Sequence, residues 1–281
     1  MPRIGAHLSA AGGVTRAVEA AVATGCEALQ IFLRPPGRWG ATVLPAPEAA
    51  RFRAAAAAAG LEETCFAHAP YLLNLASADG ELRARSVAVL AEELRRAGRL
   101  GLAGVVLHPG SAGTGGRADA EARCRAAIAE AVGRAGRGAA MLLLEGTAGA
   151  GGQLGRTPAE LARLVEEAFS RKLGICLDTA HLWGAGFDLL GDGWERALGE
   201  VAEYWGREVP HLLHGNDTQV ELGSHRDRHA PPGDGRLGEA FYRRVLNDPR
   251  CSALPFVLEI PPGEDNELVS AALVRLRRWQ R

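Results

Sequence analysis

The chain alternates short apolar runs with longer stretches of helical period, and its 281 residues contain eight such units. Continuous apolar runs, such as the MLLL of residues 141–144, are typical of parallel strands that are buried on both faces. Eight strand–helix units predict an α/β fold, a single-domain TIM (β/α)8 barrel over residues 1–281. The competing doubly wound sheet needs a G-x-G-x-x-G fingerprint after its first strand, and the glycine pair Gly12–Gly13 does not provide one.

The same patterns place the individual elements. Strands are predicted at residues 3–7, 28–32, 64–68, 104–108, 141–145, 174–178, 211–216 and 256–260. Helices are predicted at residues 47–59, 81–100, 118–135, 158–170, 194–204, 239–246 and 267–280. Two glycine-rich segments, 110–116 and 146–155, each follow a strand and precede a helix. We interpret both as enlarged loops at the C-terminal face of the barrel.

Composition narrows the class of protein. The 32 basic and 33 acidic side chains leave a formal net charge of −1. This balance excludes a protein that binds nucleic acid through an overall positive charge, but it is compatible with a local basic patch that does so. The sequence has no apolar run of about 18 residues and no signal-peptide pattern. The five cysteines are odd in number and form no C-x-x-C pair, which is typical of a reducing compartment. We therefore expect a cytoplasmic protein that does not enter a membrane.

The ends of the predicted strands carry the most informative pattern. Strands three to eight each end in, or carry, a histidine or a carboxylate: His68, His108, Glu145, Asp178, His214 and Glu259. A closed barrel gathers the C-terminal ends of its strands at one rim, where barrel enzymes keep their active sites. Three further residues add the same side-chain types close by: His181, Asp227 and His229. The i, i+2 spacing of the last two puts both on one face of an extended segment.

These five histidines and four carboxylates suit two or three divalent ions. Zinc binds such ligands in sets of three or four, and the absence of cysteine from the set is compatible with zinc, manganese or iron. A single histidine at a strand end is more often a structural residue, whereas six consecutive strand ends with ligand types predict a metal centre.

His7 also ends a strand, and we expect it to hydrogen-bond a ligand rather than to bind metal.

Seven segments resemble one enzyme family when they are taken together. They are IGAHLSAAGG (4–13), YLLNL (71–75), LHPG (107–110), LEGTAG (144–149), CLDTAH (176–181), HGND (214–217) and LGSHRDRH (222–229). They resemble endonuclease IV, a family of zinc-dependent apurinic/apyrimidinic endonucleases of DNA base excision repair, from Met1 to about Pro262. The resemblance implies a TIM barrel that hydrolyses the phosphodiester 5′ to an abasic site in duplex DNA. The products would be a 3′-hydroxyl and a 5′-deoxyribose phosphate.

The resemblance also implies how the metal ligands divide among three Zn²⁺ ions. His68 and His108 would hold the first ion with Glu145, which would bridge to a second ion. Asp178, His214 and Glu259 would complete the second site, and His181, Asp227 and His229 would form the third. Glu145 is the predicted catalytic residue because it would hold the bridged pair. Mn²⁺ is an expected substitute, no organic cofactor is expected, and family members act as monomers.

Contacts to DNA follow from the resemblance as well. Tyr71 and Leu72 match the family segment that wedges into the duplex. Arg38 and Arg228 lie in loops after strands, and from that position we expect them to contact phosphates. Arg34 lies in a similar loop and is a further candidate for a phosphate contact. Three departures from the family pattern bear on these contacts: Gly146 where asparagine is usual, an altered loop from Arg34 to Trp39 that includes Gly37, and a changed segment at residues 230–233 after the last ligand pair.

Three other functions remain open from the sequence. A sugar isomerase or epimerase of the same barrel superfamily would use a strand-end site with one or two divalent ions. A damage-binding relative could keep the fold and lack catalysis. A lyase would need an amine for Schiff-base chemistry, but Lys172 is the only lysine in the chain. It precedes strand six and is therefore expected at the opposite face of the barrel from the metal ligands.

Overall fold

The computed structural model describes residues 1–41, 43–165 and 171–280. Its parallel strands are β1 (Arg3–His7), β2 (Ala28–Phe32), β3 (Cys65–His68), β4 (Gly104–Leu107), β5 (Met141–Glu145), β6 (Leu173–Asp178), β7 (Leu212–His214) and β10 (Pro255–Leu258). They close a barrel in the order β1-β10-β7-β6-β5-β4-β3-β2. A separate antiparallel pair, β8 (Asp217–Thr218) and β9 (His229–Ala230), lies beyond the end of β7. The predicted TIM barrel is confirmed.

Helices surround the barrel and connect its strands. They are α1 (Val14–Thr24), α2 (Ala46–Ala58), α3 (Gly80–Leu100), α4 (Arg117–Ala135), α5 (Pro158–Ala162), α6 (Thr179–Ala185), α7 (Gly193–Trp205), α8 (Gly238–Leu246) and α9 (Glu267–Trp279). Helix α3 shows the forces that define such an element. Its N-terminus is capped by the carboxylate of Asp79, its last turn ends at Gly101 in the left-handed conformation, and its buried face is mostly apolar.

Buried side chains form two layers that alternate along each strand. One layer fills the barrel interior: Ala28, Phe66, Val106, Leu143, Cys176, Leu212 and Val257. The other layer lies between the barrel and its helices and includes Leu29, Ile31 and Val105. Because side chains of a strand alternate between its faces, the residue two positions after each interior residue also points into the barrel. These positions lie at the C-terminal rim.

The predicted strands all appear within two residues of their expected ends. The helices predicted at 47–59, 81–100, 118–135, 194–204, 239–246 and 267–280 appear within one residue. Of the helix predicted at 158–170, the structure shows Pro158–Ala162, and residues 166–170 lie outside the described residues. The two glycine-rich segments are loops at the C-terminal face, and a bridge between Ser111 and Gln153 joins them.

Four elements were missed at the sequence level. Helix α1 follows Gly13, which offers no side-chain cap, so the usual start signal is absent. Helix α6 has seven residues, too few for a hydrophobic period to show. Strands β8 and β9 have two residues each and pair across ten intervening residues, so neither alternation nor a tight turn marks them.

Lys172 lies at the N-terminal end of β6, as expected from the sequence. Its Nζ donates a hydrogen bond to the Gly136 carbonyl at 2.5 Å. Because β6 ends in Asp178 at the other rim, the amine is separated from the polar strand ends by the length of the strand.

Among the described helices, none has both the length and the apolar character needed to cross a membrane.

His211, at the start of β7, gives a prediction for stability against pH. Its Nδ1 accepts a hydrogen bond from the Ile175 N–H at 3.2 Å, and burial together with Arg207 lowers its pKa from 6.5 to about 4. The unfolded chain therefore binds the proton more readily, so stability is retained above pH 6.5 and lost as the pH falls towards 4. Because solvent reaches part of the ring, we expect this group to cost about 1–2 kcal/mol over that window.

Urea unfolding of the wild type and of His211→Gln at pH 7 and pH 5 measures this cost. Glutamine can still accept the Ile175 hydrogen bond but does not titrate. The wild type should therefore lose more stability on acidification than the variant, since the other histidines titrate in both proteins. Equal losses in the two proteins would contradict the prediction.

Candidate metal centre at the barrel rim

The inward-facing positions at the C-terminal rim are all polar. On seven strands they lie two residues beyond the interior layer. On β1 the position is His7, which pairs with Gln30 in the β1–β2 register. The ring consists of His7, Gln30, His68, His108, Glu145, Asp178, His214 and Glu259. Six of these are the strand-end ligands predicted from the sequence. Parallel pairing and closure thus place all six at one end of the barrel.

The predicted ligands form three groups whose ligand atoms lie within 4.8 Å of one another. In the first group, His68 Nε2 and His108 Nε2 lie 3.1 Å and 3.2 Å from Glu145 Oε2. In the second, His214 Nδ1 lies 3.0 Å from Glu145 Oε1, 3.1 Å from Glu259 Oε2 and 4.0 Å from Asp178 Oδ2. Glu145 therefore belongs to both groups, with one carboxylate oxygen facing each.

The third group contains Asp178, His181 and His229. Asp227 joins it from the loop before β9, with Oδ2 at 3.2 Å from His181 Nε2 and Oδ1 at 3.1 Å from His229 Nε2. Asp178 Oδ2 lies 3.5 Å from His229 Nε2. Asp178 is thus shared between the second and third groups, which the sequence-based division among three ions did not anticipate. The nine predicted ligands form one continuous cluster.

The donor set fits divalent cations. Imidazole nitrogens and carboxylate oxygens are the ligands that zinc takes in catalytic sites. The buried Nε2 of His229 points at two carboxylates yet makes no hydrogen bond of good geometry. A cation between these groups would satisfy all of them, because a buried polar atom without a partner is costly. Ligation by these residues stays a prediction.

Electrostatics in the cluster follow from the shared burial of acids and bases. Burial alone would raise the pKa of Glu145, but His108 and His214 hold it well below its usual range. Burial alone would lower the pKa of His181, but Asp178, Asp227 and Glu145 raise it well above 6.5. Burial lowers the pKa of His108 to about 4. In the described part of the chain, the ion-pair partners of Glu145 are histidines. Among them His181 and His214, whose pKa values are raised, balance its charge when no cation is present.

Asn216 joins two predicted ligands and was missed at the sequence level. Its Nδ2 donates to Asp178 Oδ2 at 2.6 Å, and its Oδ1 accepts from the Glu259 backbone N–H at 2.8 Å. The other oxygen of Asp178 caps α6 by accepting the His181 N–H at 2.9 Å. These contacts fix the carboxylate of Asp178 and the main chain of Glu259. The available signal was position, since Asn216 lies two residues after His214 at the same rim.

Gln30 and His7 complete the ring. Gln30 was not recognised from the sequence because glutamine is not a usual ligand for these metals. Its position on β2 was the available signal, since it occupies the strand position that carries histidine or carboxylate elsewhere. His7 lies 3.5 Å from Glu259 Oε1, and burial lowers its pKa. His7 therefore lies beside a predicted ligand, but 3.5 Å is long for a hydrogen bond, so its expected hydrogen bond to a ligand stays a prediction.

The predicted DNA contacts lie around the rim. The Tyr71 side chain is 61% exposed, and its ring meets Phe32 edge-on at 5.5 Å and lies 5.2 Å from the His68 ring. Leu72 is half-buried and lines a cavity of about 450 Å³ together with His68, His108 and Asp227. Arg38 and Arg228 are exposed, and Arg228 Nη1 donates to the Asp227 carbonyl at 2.7 Å.

Arg34 is not available for the predicted phosphate contact. It is buried, and its guanidinium donates to Glu93 Oε1 and to Glu92 Oε2, each at 2.9 Å. Both acids lie on α3, so the arginine ties the loop after β2 to that helix. Two buried or half-buried carboxylates already neutralise the charge that a phosphate would need.

Gly146 has no side chain to contact the predicted ligands, but its main chain still hydrogen-bonds one of them. The Gly146 carbonyl accepts a hydrogen bond from His181 Nδ1 at 2.9 Å. A Cβ added at Gly146 would come no closer than 3.9 Å to its neighbours, Gly155 O and Leu177 Cδ2. The fold therefore does not require glycine there, and the third group keeps its main-chain support.

Known proteins with similar sequences share the barrel fold and include several endonucleases. Residues 18–279 match the family model described as "Xylose isomerase-like TIM barrel". A probable endonuclease 4 of Oleidesulfovibrio alaskensis is 44% identical over 276 residues, which are 97% of this chain and 94% of that protein. A probable endonuclease 4 of Nitratidesulfovibrio vulgaris is 40% identical and covers 99% of both chains.

Solved structures show the same likeness. Endonuclease IV from Thermus thermophilus superposes with a TM-score of 0.87 at 39% identity and covers 99% of this chain and 98% of its own. A D-tagatose 3-epimerase-like protein superposes with a TM-score of 0.71 at 18% identity, covering 98% of this chain and 96% of its own. At that identity the likeness concerns the barrel fold alone.

Proposed function

Because the chain belongs to the endonuclease IV family and is a nuclease, we propose that it repairs DNA by hydrolysing the phosphodiester 5′ to an abasic site. The substrate is duplex DNA, and the products are a 3′-hydroxyl and a 5′-deoxyribose phosphate. The observation that carries the proposal is the row of three ligand groups linked by Glu145 and Asp178. Such a row suits phosphodiester hydrolysis, because cations there would stabilise the attacking water oxygen together with the leaving and non-bridging oxygens of the ester.

Three Zn²⁺ ions would occupy the groups, with Mn²⁺ as a substitute. His68, His108 and Glu145 would hold the first ion, and Glu145, Asp178, His214 and Glu259 the second. His181, Asp227 and His229 would hold the third, with Asp178 in reach of it. The ions would supply a water of lowered pKa and neutralise the charge that develops on the phosphoryl oxygens.

The chain's own side chains hold this arrangement rigid. Glu145 is fully buried, so its two oxygens keep their separate orientations towards the first and second groups. Asn216 fixes Asp178 and Glu259 through side-chain and main-chain contacts. Every predicted ligand comes from this one chain, so we propose that residues 1–281 act as one domain and as a monomer.

Recognition of damage would use the exposed rim. The Tyr71 ring stands above the His68 and His108 rings, where it and Leu72 can enter the duplex beside the scissile bond. Inserting apolar side chains costs a few kcal/mol of stacking, and the cost is least where a base is already missing. Arg38 and Arg228 would contact phosphates and hold the duplex in register.

Metal removal combined with an end-labelled abasic duplex tests the proposal. The protein as purified should cut the abasic strand once, on the 5′ side of the lesion, and leave the matched undamaged duplex intact. Dialysis against a chelator should abolish cutting, and added Zn²⁺ should restore it, because the three groups lose their shared counter-charge without cations. Cutting that survives chelation, or a borohydride-trapped enzyme–DNA adduct, would contradict the proposal. Turnover of a free sugar with DNA left intact would indicate the epimerase class.

A further inference from the structure

Gln30 contacts three members of the polar ring through one amide. The residue is fully buried on β2. Its Nε2 lies 2.6 Å from Glu259 Oε1 and 3.0 Å from His7 Nδ1, and its Oε1 lies 2.9 Å from His214 Nε2. All hydrogen-bonding groups of the amide except one lone pair are therefore engaged.

The carboxylate determines the orientation of this amide. An ionised carboxylate oxygen only accepts hydrogen bonds, so the NH₂ group of Gln30 must face Glu259. The second N–H of that group is then directed at Nδ1 of His7. The carbonyl oxygen of Gln30 faces His214 and also only accepts, so Nε2 of His214 must carry a proton. Nδ1 of His214 is consequently the nitrogen available to a cation.

Three of the other four predicted histidine ligands have the opposite arrangement, whereas Nδ1 of the fourth, His108, makes no hydrogen bond. Nδ1 of His68 donates to the Ala69 carbonyl at 2.6 Å, and Nδ1 of His181 donates to the Gly146 carbonyl at 2.9 Å. Nδ1 of His229 donates to the Glu259 carbonyl at 3.1 Å. In these three the main chain holds Nδ1, and Nε2 faces the carboxylates. His214 instead depends on a side chain, which mutation can remove.

We infer that Gln30 is a positioning residue of the metal centre. It holds His214 with Nδ1 towards the second group and keeps the Glu259 carboxylate turned into the same group. Groups that hydrogen-bond metal ligands fix the ring tautomer and orientation, and their loss typically weakens metal binding about 10–100-fold. The inference rests on the proposed metal-dependent function.

Three variants separate the contacts of Gln30 from the packing of β2. Gln30→Leu removes all three contacts of the amide at similar volume. Gln30→Glu keeps an acceptor for His214 but faces Glu259 with a second carboxylate. Ile31→Val, the matched control, trims the neighbouring residue, which packs in the layer between barrel and helices. Zinc content by elemental analysis, zinc affinity by chelator competition, and long-range ¹H–¹⁵N spectra of the histidine rings are measured for each protein.

The zinc-loaded wild type should show one ring bound through Nδ1 with a proton on Nε2. Gln30→Leu should lose that signature and bind one zinc ion about 10–100-fold more weakly. Gln30→Glu should keep the signature and still bind that ion more weakly, and Ile31→Val should match the wild type in both respects. If Gln30→Leu does not fold, Gln30→Glu and the wild-type spectrum decide.

Wild-type zinc affinity in a folded Gln30→Leu or in Gln30→Glu would overturn the inference and leave the proposed function standing. A wild-type spectrum without an Nδ1-bound ring would do the same. A wild-type protein that binds no zinc and leaves abasic DNA intact would overturn the proposed function, and the inference with it.

Discussion

Replacement of Glu145 by glutamine is expected to lower kcat/KM for an abasic duplex about a thousandfold or more. Glu145 gives one oxygen to the first group and the other to the second. Glutamine keeps one acceptor oxygen, and its NH₂ group presents donors to the position where the second oxygen faced a cation. Metal stabilisation of phosphoryl transfer amounts to several kcal/mol, and each 1.36 kcal/mol corresponds to a factor of ten in rate.

Single-turnover cleavage of a labelled abasic duplex at saturating Zn²⁺ measures this loss, with zinc content measured on the same samples. We expect the variant to bind fewer zinc ions, because one carboxylate no longer links two groups. Glu93→Gln is the matched control. Glu93, on α3, is also fully buried, but its ion-pair partners are Arg34 and Arg96 rather than predicted ligands. Equal zinc content and rate in the two variants would show that Glu145 has no special place in catalysis.

The sequence was sufficient to predict the barrel and the gathering of histidines and carboxylates at its rim for one physical reason. Parallel strands in a closed barrel share a direction and a two-residue side-chain period, so histidines and carboxylates at successive strand ends must meet. His68 and Glu259 are 191 positions apart in the chain, yet both predictions needed only the strand pattern. Local patterns therefore determined a non-local site.

The same reasoning failed for residues whose contacts lie outside the strands, because the two-residue strand period does not determine which side chains meet there. Arg34 has the position of a DNA contact, but its partners Glu92 and Glu93 lie 58 and 59 residues away on a helix face. Gln30 and Asn216 hydrogen-bond predicted ligands, and neither is of a residue type that usually binds these metals, so their residue types gave no signal. The sharing of Asp178 between two groups depends on how the short pair β8–β9 folds back over the rim.

Replacement of Asp217 by asparagine is expected to destabilise the loop that follows β9. The fully buried carboxylate accepts four backbone N–H groups: Thr218 at 2.8 Å and Leu237 at 2.9 Å on Oδ1, and Gly233 at 2.9 Å and Gly238 at 3.3 Å on Oδ2. An asparagine NH₂ would face two of these donors and leave both without an acceptor. Hydrogen bonds to a charged group contribute about 1.5–3 kcal/mol each, so we expect a loss of about 3 kcal/mol. A barrel of this size should then melt about 6–12 °C lower.

The effect should reach the metal centre, because Asp217 pairs with Ala230 next to His229 in the β8–β9 register. Asp217→Asn should therefore bind the third zinc ion more weakly, besides melting earlier. Asp234→Asn is the control, since Asp234 lies in the same loop but pairs with Arg275 at the surface, where an ion pair contributes about 0–1 kcal/mol. Differential scanning calorimetry and zinc titration on both variants separate the two effects. A lower melting temperature with three zinc ions bound at wild-type affinity would show that the loop supports the fold but not the ligand, and the proposed link from Asp217 to His229 would then be wrong.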